Sequence, residues 1–156
     1  MCSQVSNSRL MDPRRALVIA EAESWLGTKF HHEARVKGAG VDCGQLLIAV
    51  YAEFGFMPKD YKLAHYPADF ALHRDHEWYL SIVESFAKPV ETPGPGDIVL
   101  FKWGRLFSHG GIVTDWPGMI HAWAPTKSVG RFRADMNPLA DKERLFFSPF
   151  TDAVDA

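Results

Sequence analysis

The 156-residue chain lacks the features that would cross-link its fold covalently or place it in a membrane. Its two cysteines, Cys2 and Cys43, allow one disulfide at most, which excludes a disulfide-rich scaffold. No apolar run reaches the roughly 18 residues of a transmembrane helix. The N-terminus also lacks the basic region and apolar core of a secretory signal. The sequence therefore predicts no membrane span, no signal peptide and synthesis in the cytoplasm.

The chain also lacks an excess of charge of either sign. Lys and Arg number 17 against 19 Asp and Glu, for a formal net charge of -2. We expect no nucleic-acid partner, because binding to a polyphosphate relies on concentrated positive charge. Hydrophobic residues make up 47% of the chain, which is enough for one core. This predicts a single domain over residues 12–150, with flexible ends at residues 1–11 and 151–156.

Apolar periodicity predicts helices in the first part of the chain and strands in the second. A first helix starts at Asp12 and ends at Gly27, and a second starts at or beside Cys43. Residues 28–41 are predicted to form a loop, and residues 75–87 a further helix. The apolar face of the first helix is predicted to comprise Ala16, Leu17, Ile19, Ala20, Ala22, Trp25 and Leu26. Strands are predicted over residues 98–103, 110–114, 119–124 and 145–148. Helices followed by an antiparallel sheet are the α+β pattern.

Cys43 is a candidate nucleophile because of its place at the start of a predicted helix. A helix N-terminus carries partial positive charge and free N–H groups, which lower the pKa of a thiol. The same N–H groups can bind the oxyanion of a tetrahedral intermediate. A buried cysteine, however, often packs simply as a small apolar side chain. The position of Cys43 alone leaves both interpretations open.

Two histidines on consecutive predicted strands, His109 and His121, favour the catalytic interpretation. They share one face of the sheet if Val113 lies opposite Met119, because side chains alternate between the two faces along a strand. His109 is then the diagonal neighbour of His121. A thiol nucleophile needs an imidazole that takes its proton and a second group that orients this imidazole. We therefore expect the Cys43 sulfur within several ångström of the His109 ring, with His121 on the far side.

The order of WLGTKF, VDCGQLL, PGDIVLFKWGRLFSHGGIV and MIHAW along the chain resembles the NlpC-type family of papain-like cysteine peptidases. The resemblance runs from about residue 16 to residue 123, and the PGD turn and the step from His109 to His121 are its most specific parts. This family cuts bacterial cell-wall peptides. The resemblance implies a papain-like α+β fold with Cys43 as nucleophile, His109 as general base and His121 as the residue that orients it. It also implies action on peptidoglycan stem peptides without a metal or organic cofactor.

The chain departs from the family pattern beside the nucleophile. The family usually has Asp-Cys-Ser-Gly, whereas Gly44 follows Cys43 here, so any contact made by that serine side chain is absent. A tyrosine commonly follows the Gly-Thr element, and the corresponding residue here is Phe30. The resemblance therefore does not settle whether the family's usual γ-D-glutamyl to diamino-acid bond is the one cut. The expected substrate-binding residues are Phe30, Asp42, Trp103 and Ser108.

Three classes of function stay open at this point. The first is a stem-peptide peptidase, the second an amidase or acyltransferase that uses the same Cys-His-His site, and the third a structural tail-assembly component. The segments YPADFALH, WGRLFSHGGIV and FFSPF resemble short stand-alone family members encoded with phage tail genes. This finer resemblance implies phage tail proteins as partners, and a location in the virion tail or release to the cell wall.

The remaining histidines allow a weaker alternative. His65, Asp69 and His73 have the spacing of one helix face, but Pro67 interrupts them, and a solvated face is favoured over a metal site. His31, His32 and His76 have no assigned role. A surface position is favoured for the first two, with binding of a carboxylate-rich peptide as the alternative.

Overall fold

A computed structural model describes residues 12–63 and 78–150 of the chain. The helices within these residues are α1 (Arg14–Glu23), α2 (Cys43–Ala52) and α3 (Trp78–Glu84). The strands are β1 (Arg35–Val36), β2 (Gly40–Val41), β3 (Lys88–Val90), β4 (Ile98–Trp103), β5 (Leu106–Val113), β6 (Gly118–Trp123), β7 (Ser128–Arg133) and β8 (Arg144–Ser148). The predicted ends at residues 1–11 and 151–156 lie outside the described residues, as does the first part of the helix predicted over residues 75–87.

Six strands form one antiparallel sheet in the order β3-β8-β4-β5-β6-β7. The α+β prediction is confirmed, and β4 has the predicted bounds. The strand predicted from residue 110 begins earlier, at Leu106. β3 and β7 were not predicted, because edge strands such as these are short or largely exposed and carry few apolar residues.

The segment predicted as a loop over residues 28–41 contains the small hairpin of β1 and β2. Strands of two residues are too short to show an alternation that sequence reasoning can detect. Single bridges pair Lys29 with Ser128 of β7, and Phe30 with Val41. The hairpin is thereby held close to the residue at which α2 begins.

The buried face of α1 agrees in part with the predicted one. Ala22 and Trp25 are buried as predicted, but Val18 is fully buried in addition, whereas Leu17 is 53% exposed. The difference arises from Arg15, whose guanidinium is buried and lies 3.0 Å from a carboxylate oxygen of Asp97. It also donates to the carbonyl oxygen of Pro95. Because a buried charge requires such partners, the ion pair decides which face of α1 meets the sheet.

Apolar side chains cover both faces of the sheet. The larger core packs the helices against the sheet and includes Val18, Leu46, Val50, Val83, Ile98, Leu100, Ile112 and Ile120. The smaller cluster comprises Val99, Phe101, Val113, Met119, Ala134 and Leu139. Phe101 of the smaller cluster is paired with His109 across β4 and β5, so the two side chains share a face.

Candidate active site

The helix that carries Cys43 begins at this residue because Asp42 caps it. Asp42 has an extended backbone, and its Oδ1 accepts the N–H of Gln45 at 2.9 Å. Its Oδ2 accepts the N–H of Glu33 at 2.8 Å, which ties the segment before β1 to the start of α2. The predicted helix start is confirmed. The carboxylate of Asp42, an expected substrate ligand, is thus engaged within the chain.

His109 on β5 and His121 on β6 lie side by side. Val113 is paired with Met119, which is the predicted register. His109 Nε2 is 2.8 Å from His121 Nδ1, and the ring centroids are 5.0 Å apart. This hydrogen bond occupies Nε2 of His109 and leaves Nδ1 of His109 for another partner.

Gly111 makes the room for this pair. A Cβ at position 111 would lie 2.4 Å from Met119 Cε and 3.3 Å from His121 Cβ. The end of the Met119 side chain can move aside, but the main-chain oxygen of Ile120 on β6 would lie 3.1 Å from this Cβ, so a larger residue would require β6 to shift by a few tenths of an ångström. The second glycine of the SHGGIV motif thus fits the close packing between the strands.

The Cys43 thiol lies against the main chain on both sides of His109. The sulfur is 3.8 Å from the carbonyl oxygen of Ser108 and donates to it. The N–H of Gly110 forms a further hydrogen bond to the sulfur. The structure thus places the Cys43 sulfur against the main chain of Ser108 and Gly110, and the expected approach of the sulfur to the His109 ring stays a prediction.

Burial raises the pKa of the Cys43 thiol to about 12, and the adjacent carboxylate of Asp42 acts in the same direction. Hydrogen bonds from the Gly110 N–H, the Tyr79 hydroxyl and the Gly44 N–H lower the pKa, but by less. The predicted lowering of this pKa at the helix start is therefore wrong. The side chain that caps the helix brings a negative charge beside the sulfur, and burial disfavours the thiolate.

Burial also keeps both imidazoles neutral. It lowers the pKa of His109 to about 3, with a further contribution from His121, and it lowers the pKa of His121 to about 4. Aromatic rings supply much of this enclosure. The centroid of Trp103 lies 6.2 Å from that of His109, and Trp123 stacks on His121 at 5.3 Å. At neutral pH the site consists of a neutral thiol and two neutral imidazoles.

Of the expected substrate-binding residues, Trp103 and Ser108 lie next to His109, and Phe30 lies near the start of α2. Trp103 is half-buried beside the His109 ring. The Ser108 hydroxyl donates to the carbonyl oxygen of Trp103 at 3.3 Å, which links the two residues. Phe30 packs partly buried against the larger core and is bridged to Val41, next to the helix cap. Their role in substrate binding stays a prediction.

Tyr79 is a residue of the site that sequence reasoning missed. Its hydroxyl donates to the carbonyl oxygen of Cys43 at 3.2 Å and forms a hydrogen bond to the thiol. It is located on α3, 36 residues further along the chain. No local motif marks it, because an aromatic residue in an apolar helix is ordinarily a packing residue.

The residues of the metal alternative lie in a part of the chain that the structure does not describe. His65, Asp69 and His73 lie outside the described residues, as does His76. Within residues 12–63 and 78–150, no group of three or more His, Cys, Asp or Glu side chains is placed to hold a metal ion. No helix in these two ranges has the length and apolar character needed to cross a membrane.

His31 and His32 lie in the segment that Asp42 holds. His31 Nδ1 is 3.2 Å from the carbonyl oxygen of His32. His32 Nδ1 is 3.8 Å from Asp42 Oδ2, and its Nε2 is 3.7 Å from a carboxylate oxygen of Glu33. This segment therefore reaches the helix start that carries Cys43, although peptide binding by these histidines stays a prediction.

Solved structures share this arrangement of helices and sheet. The NlpC/p60 domain of the peptidoglycan hydrolase SagA aligns with a TM-score of 0.58 and 19% identity, over 84% of this chain and 96% of that one. The chain has the NlpC/p60 fold. NlpC1 from Trichomonas vaginalis aligns with a TM-score of 0.64 and 16% identity, over 90% of this chain and 46% of NlpC1.

The NlpC/p60 fold includes proteins with and without catalysis. RipD from Mycobacterium tuberculosis, described as a non-catalytic NlpC/p60 domain protein adapted to peptidoglycan binding, aligns with a TM-score of 0.55 and 14% identity. The alignment covers 88% of this chain and 98% of RipD. No protein-family model and no curated protein matches the chain. At these identities the comparison shows the fold, and activity has to be argued from the site.

Proposed function

We propose that the chain is a cysteine peptidase that hydrolyses amide bonds in peptidoglycan stem peptides. Cys43 is the nucleophile, His109 the general base and His121 the residue that orients it. The hydrogen bond between His109 and His121 at 2.8 Å carries this proposal, because it fixes an imidazole next to the strand residues that the thiol contacts. The shared fold with a domain of the peptidoglycan hydrolase SagA supports the substrate class.

The hydrogen bond between the histidines decides which tautomer can act. To accept a proton at Nδ1, His109 must carry its hydrogen on Nε2 and donate it to Nδ1 of His121. His121 is then the acceptor, and its ring is held by stacking on Trp123. His121 needs no proton transfer of its own in this scheme. Its function is to hold the tautomer and the ring orientation of His109.

The neutral resting state implies that the proton leaves the thiol as the sulfur attacks. Attack on an amide requires the thiol to leave the Ser108 carbonyl oxygen and to reach Nδ1 of His109, whose ring lies on the sheet face of Phe101. A bond forms between sulfur and the amide carbon while His109 takes the proton, and His109 then gives this proton to the leaving amine. Water hydrolyses the resulting thioester, which restores the thiol and releases the carboxylate.

The start of α2 supplies a donor for the oxyanion of this reaction. The N–H of Cys43 belongs to the first turn, where helical N–H groups have no partner within the helix, whereas the N–H of Gly44 is hydrogen-bonded to the sulfur. Such a donor binds the oxygen that becomes negative as the sulfur attacks. The helix end, which does not lower the pKa of the thiol overall, can therefore still stabilise the transition state.

The decisive experiment is mass spectrometry of muropeptides released from purified peptidoglycan. Wild type is expected to release cleaved stem peptides, and Cys43→Ala to release none while it stays folded by circular dichroism. The mass of each product identifies the bond that is cut. Release of the same muropeptides by Cys43→Ala would exclude the proposed mechanism.

Two alternatives have distinct outcomes in this assay. An acyltransferase that uses the same site would yield products joined to an added amine, because the acyl-enzyme is shared and only the acceptor differs. A binding protein such as RipD would retain peptidoglycan in a pull-down without releasing fragments. The raised pKa of Cys43 makes this second alternative worth testing in the same preparation.

We further propose association with a phage tail, and a location in the virion tail or at the cell wall. Support comes from the segments WGRLFSHGGIV and FFSPF, which resemble those of family members encoded with tail genes. Co-purification of the tagged chain with tail proteins from induced lysates tests this association. Its absence from intact virions would contradict it.

A further inference from the structure

Tyr79 is buried directly against the candidate nucleophile. The side chain is 4% exposed, and its hydroxyl donates to the carbonyl oxygen of Cys43 at 3.2 Å. The same hydroxyl forms a hydrogen bond to the Cys43 sulfur. A single phenol thus contacts both the main chain and the side chain of the residue that starts α2.

The Tyr79 side chain packs closely against two glycines. A Cβ on Gly44 would be 3.3 Å from Cε2 of the ring, and a Cβ on Gly110 would be 2.8 Å from the hydroxyl oxygen. Gly44 follows Cys43 in the chain and Gly110 follows His109. The absence of side chains at these two positions allows the ring to reach the sulfur.

We propose that Tyr79 is a positioning residue for Cys43. The Tyr79 ring packs against Gly44 and Gly110, and this packing directs the Tyr79 hydroxyl to the nucleophile. The inference rests on the proposed role of Cys43. The hydroxyl has two functions in it. In the resting site its single hydrogen goes to the Cys43 carbonyl oxygen and fixes the first turn of α2, and as negative charge develops on the sulfur the hydroxyl turns this hydrogen to the sulfur.

A donor at this place matters because the surroundings of the sulfur disfavour negative charge. The carboxylate of Asp42 stands next to it, and apolar side chains bury the site. The Tyr79 hydroxyl and the N–H groups of Gly44 and Gly110 are the groups that favour the thiolate. A hydrogen bond to a charged group contributes more than one between neutral groups, so the contribution of the phenol grows as the thiolate forms.

The experiment measures alkylation of Cys43 by iodoacetamide in a Cys2→Ser background, in which Cys43 is the one remaining thiol. Below the pKa of the thiol, the rate at each pH follows the thiolate fraction. Tyr79→Phe keeps the ring and removes the hydroxyl. We expect it to slow alkylation about three- to tenfold across the range from about pH 7 to 9, with the slope of log rate against pH unchanged.

The matched control is Tyr51→Phe. Tyr51 is fully buried, and its hydroxyl donates to the carbonyl oxygen of Gly96 at 2.6 Å, so this variant also loses one buried hydrogen bond. Its alkylation rate should equal that of wild type. The proposal is overturned if Tyr79→Phe alkylates within about twofold of wild type, or if Tyr51→Phe slows alkylation equally.

Cleavage of peptidoglycan provides a second, separate measurement. Tyr79→Phe should lower kcat with little change in KM, because the Tyr79 hydroxyl contacts the nucleophile and is not proposed to contact the substrate. If wild type cleaves no peptidoglycan while Tyr79→Phe still slows alkylation, the proposed function fails and the role of Tyr79 stands. If Cys43→Ala abolishes cleavage while Tyr79→Phe changes neither rate, the function stands and this inference fails.

Discussion

Asp97 at the PGD turn is expected to be highly sensitive to substitution, because its carboxylate is buried in an ion pair. One of its carboxylate oxygens lies 3.0 Å from the Arg15 guanidinium, and the other accepts the N–H of Gly94 at 2.7 Å. The carboxylate is fully buried and the side chain of Arg15 is 4% exposed. The hydrogen bonds of this turn thus join α1 to the start of β4.

Asp97→Asn removes the negative charge and preserves the shape of the side chain. Arg15 would remain charged and buried, with the carbonyl oxygen of Pro95 and the hydroxyl of Ser148 as its retained partners. Leaving a buried charge without its counter-ion costs about 3 to 5 kcal/mol, and the two retained acceptors favour the lower end. We therefore expect a loss of about 3 kcal/mol in the free energy of unfolding.

Urea unfolding followed by tryptophan fluorescence measures this loss. The midpoint should fall by on the order of 1 to 2 M at an unchanged slope. Asp135→Asn is the matched control: Asp135 lies 2.8 Å from Arg133, but both side chains are largely exposed, so the midpoint should not move. A midpoint for Asp97→Asn within the error of wild type would refute the role given to this ion pair.

Two further predictions concern the histidine pair. His121→Ala should slow acylation about 10- to 100-fold, whereas His121→Asn and His121→Gln should retain part of the rate because they can still accept a hydrogen bond from His109. Equal losses in all three variants, measured by single-turnover kinetics, would contradict an orienting role. The second prediction follows from the pKa values of about 3 for His109 and about 4 for His121, against an ordinary 6.5. The unfolded chain binds protons at these sites more readily, so stability should fall as the pH drops from about 6.5 toward 4, by on the order of 1 kcal/mol per pH unit for each histidine. Urea midpoints at a series of pH values test this, and the dependence should be shallower in His121→Asn; an equal dependence would contradict the prediction.

The site shows where sequence reasoning succeeds. The register that brings His109 and His121 together follows from a short turn between two strands, because the turn fixes which residues lie opposite each other. The start of α2 was predicted from the apolar run that follows Cys43, and the structure adds the physical reason, since the side chain of Asp42 caps the helix. Both features depend on residues close together in the chain.

The buried face of α1 shows where the same reasoning fails. Apolar periodicity placed Leu17 inside, whereas the structure buries Arg15 and Val18. The partner of Arg15 is Asp97, which is 82 residues away. A charged residue is assigned to the surface unless its counter-ion is known, and no local pattern reveals that counter-ion.

The sequence by itself determined the α+β order, the helix start at Cys43 and the pairing of two histidines across adjacent strands. These follow from short-range patterns of capping, turns and alternation. Only the tertiary structure decided the contact of Tyr79 with Cys43 and the direction of the pKa shift at the thiol. The physical reason is that burial and hydrogen bonding at the sulfur depend on helix α3 and strand β5, which reach it from distant parts of the chain.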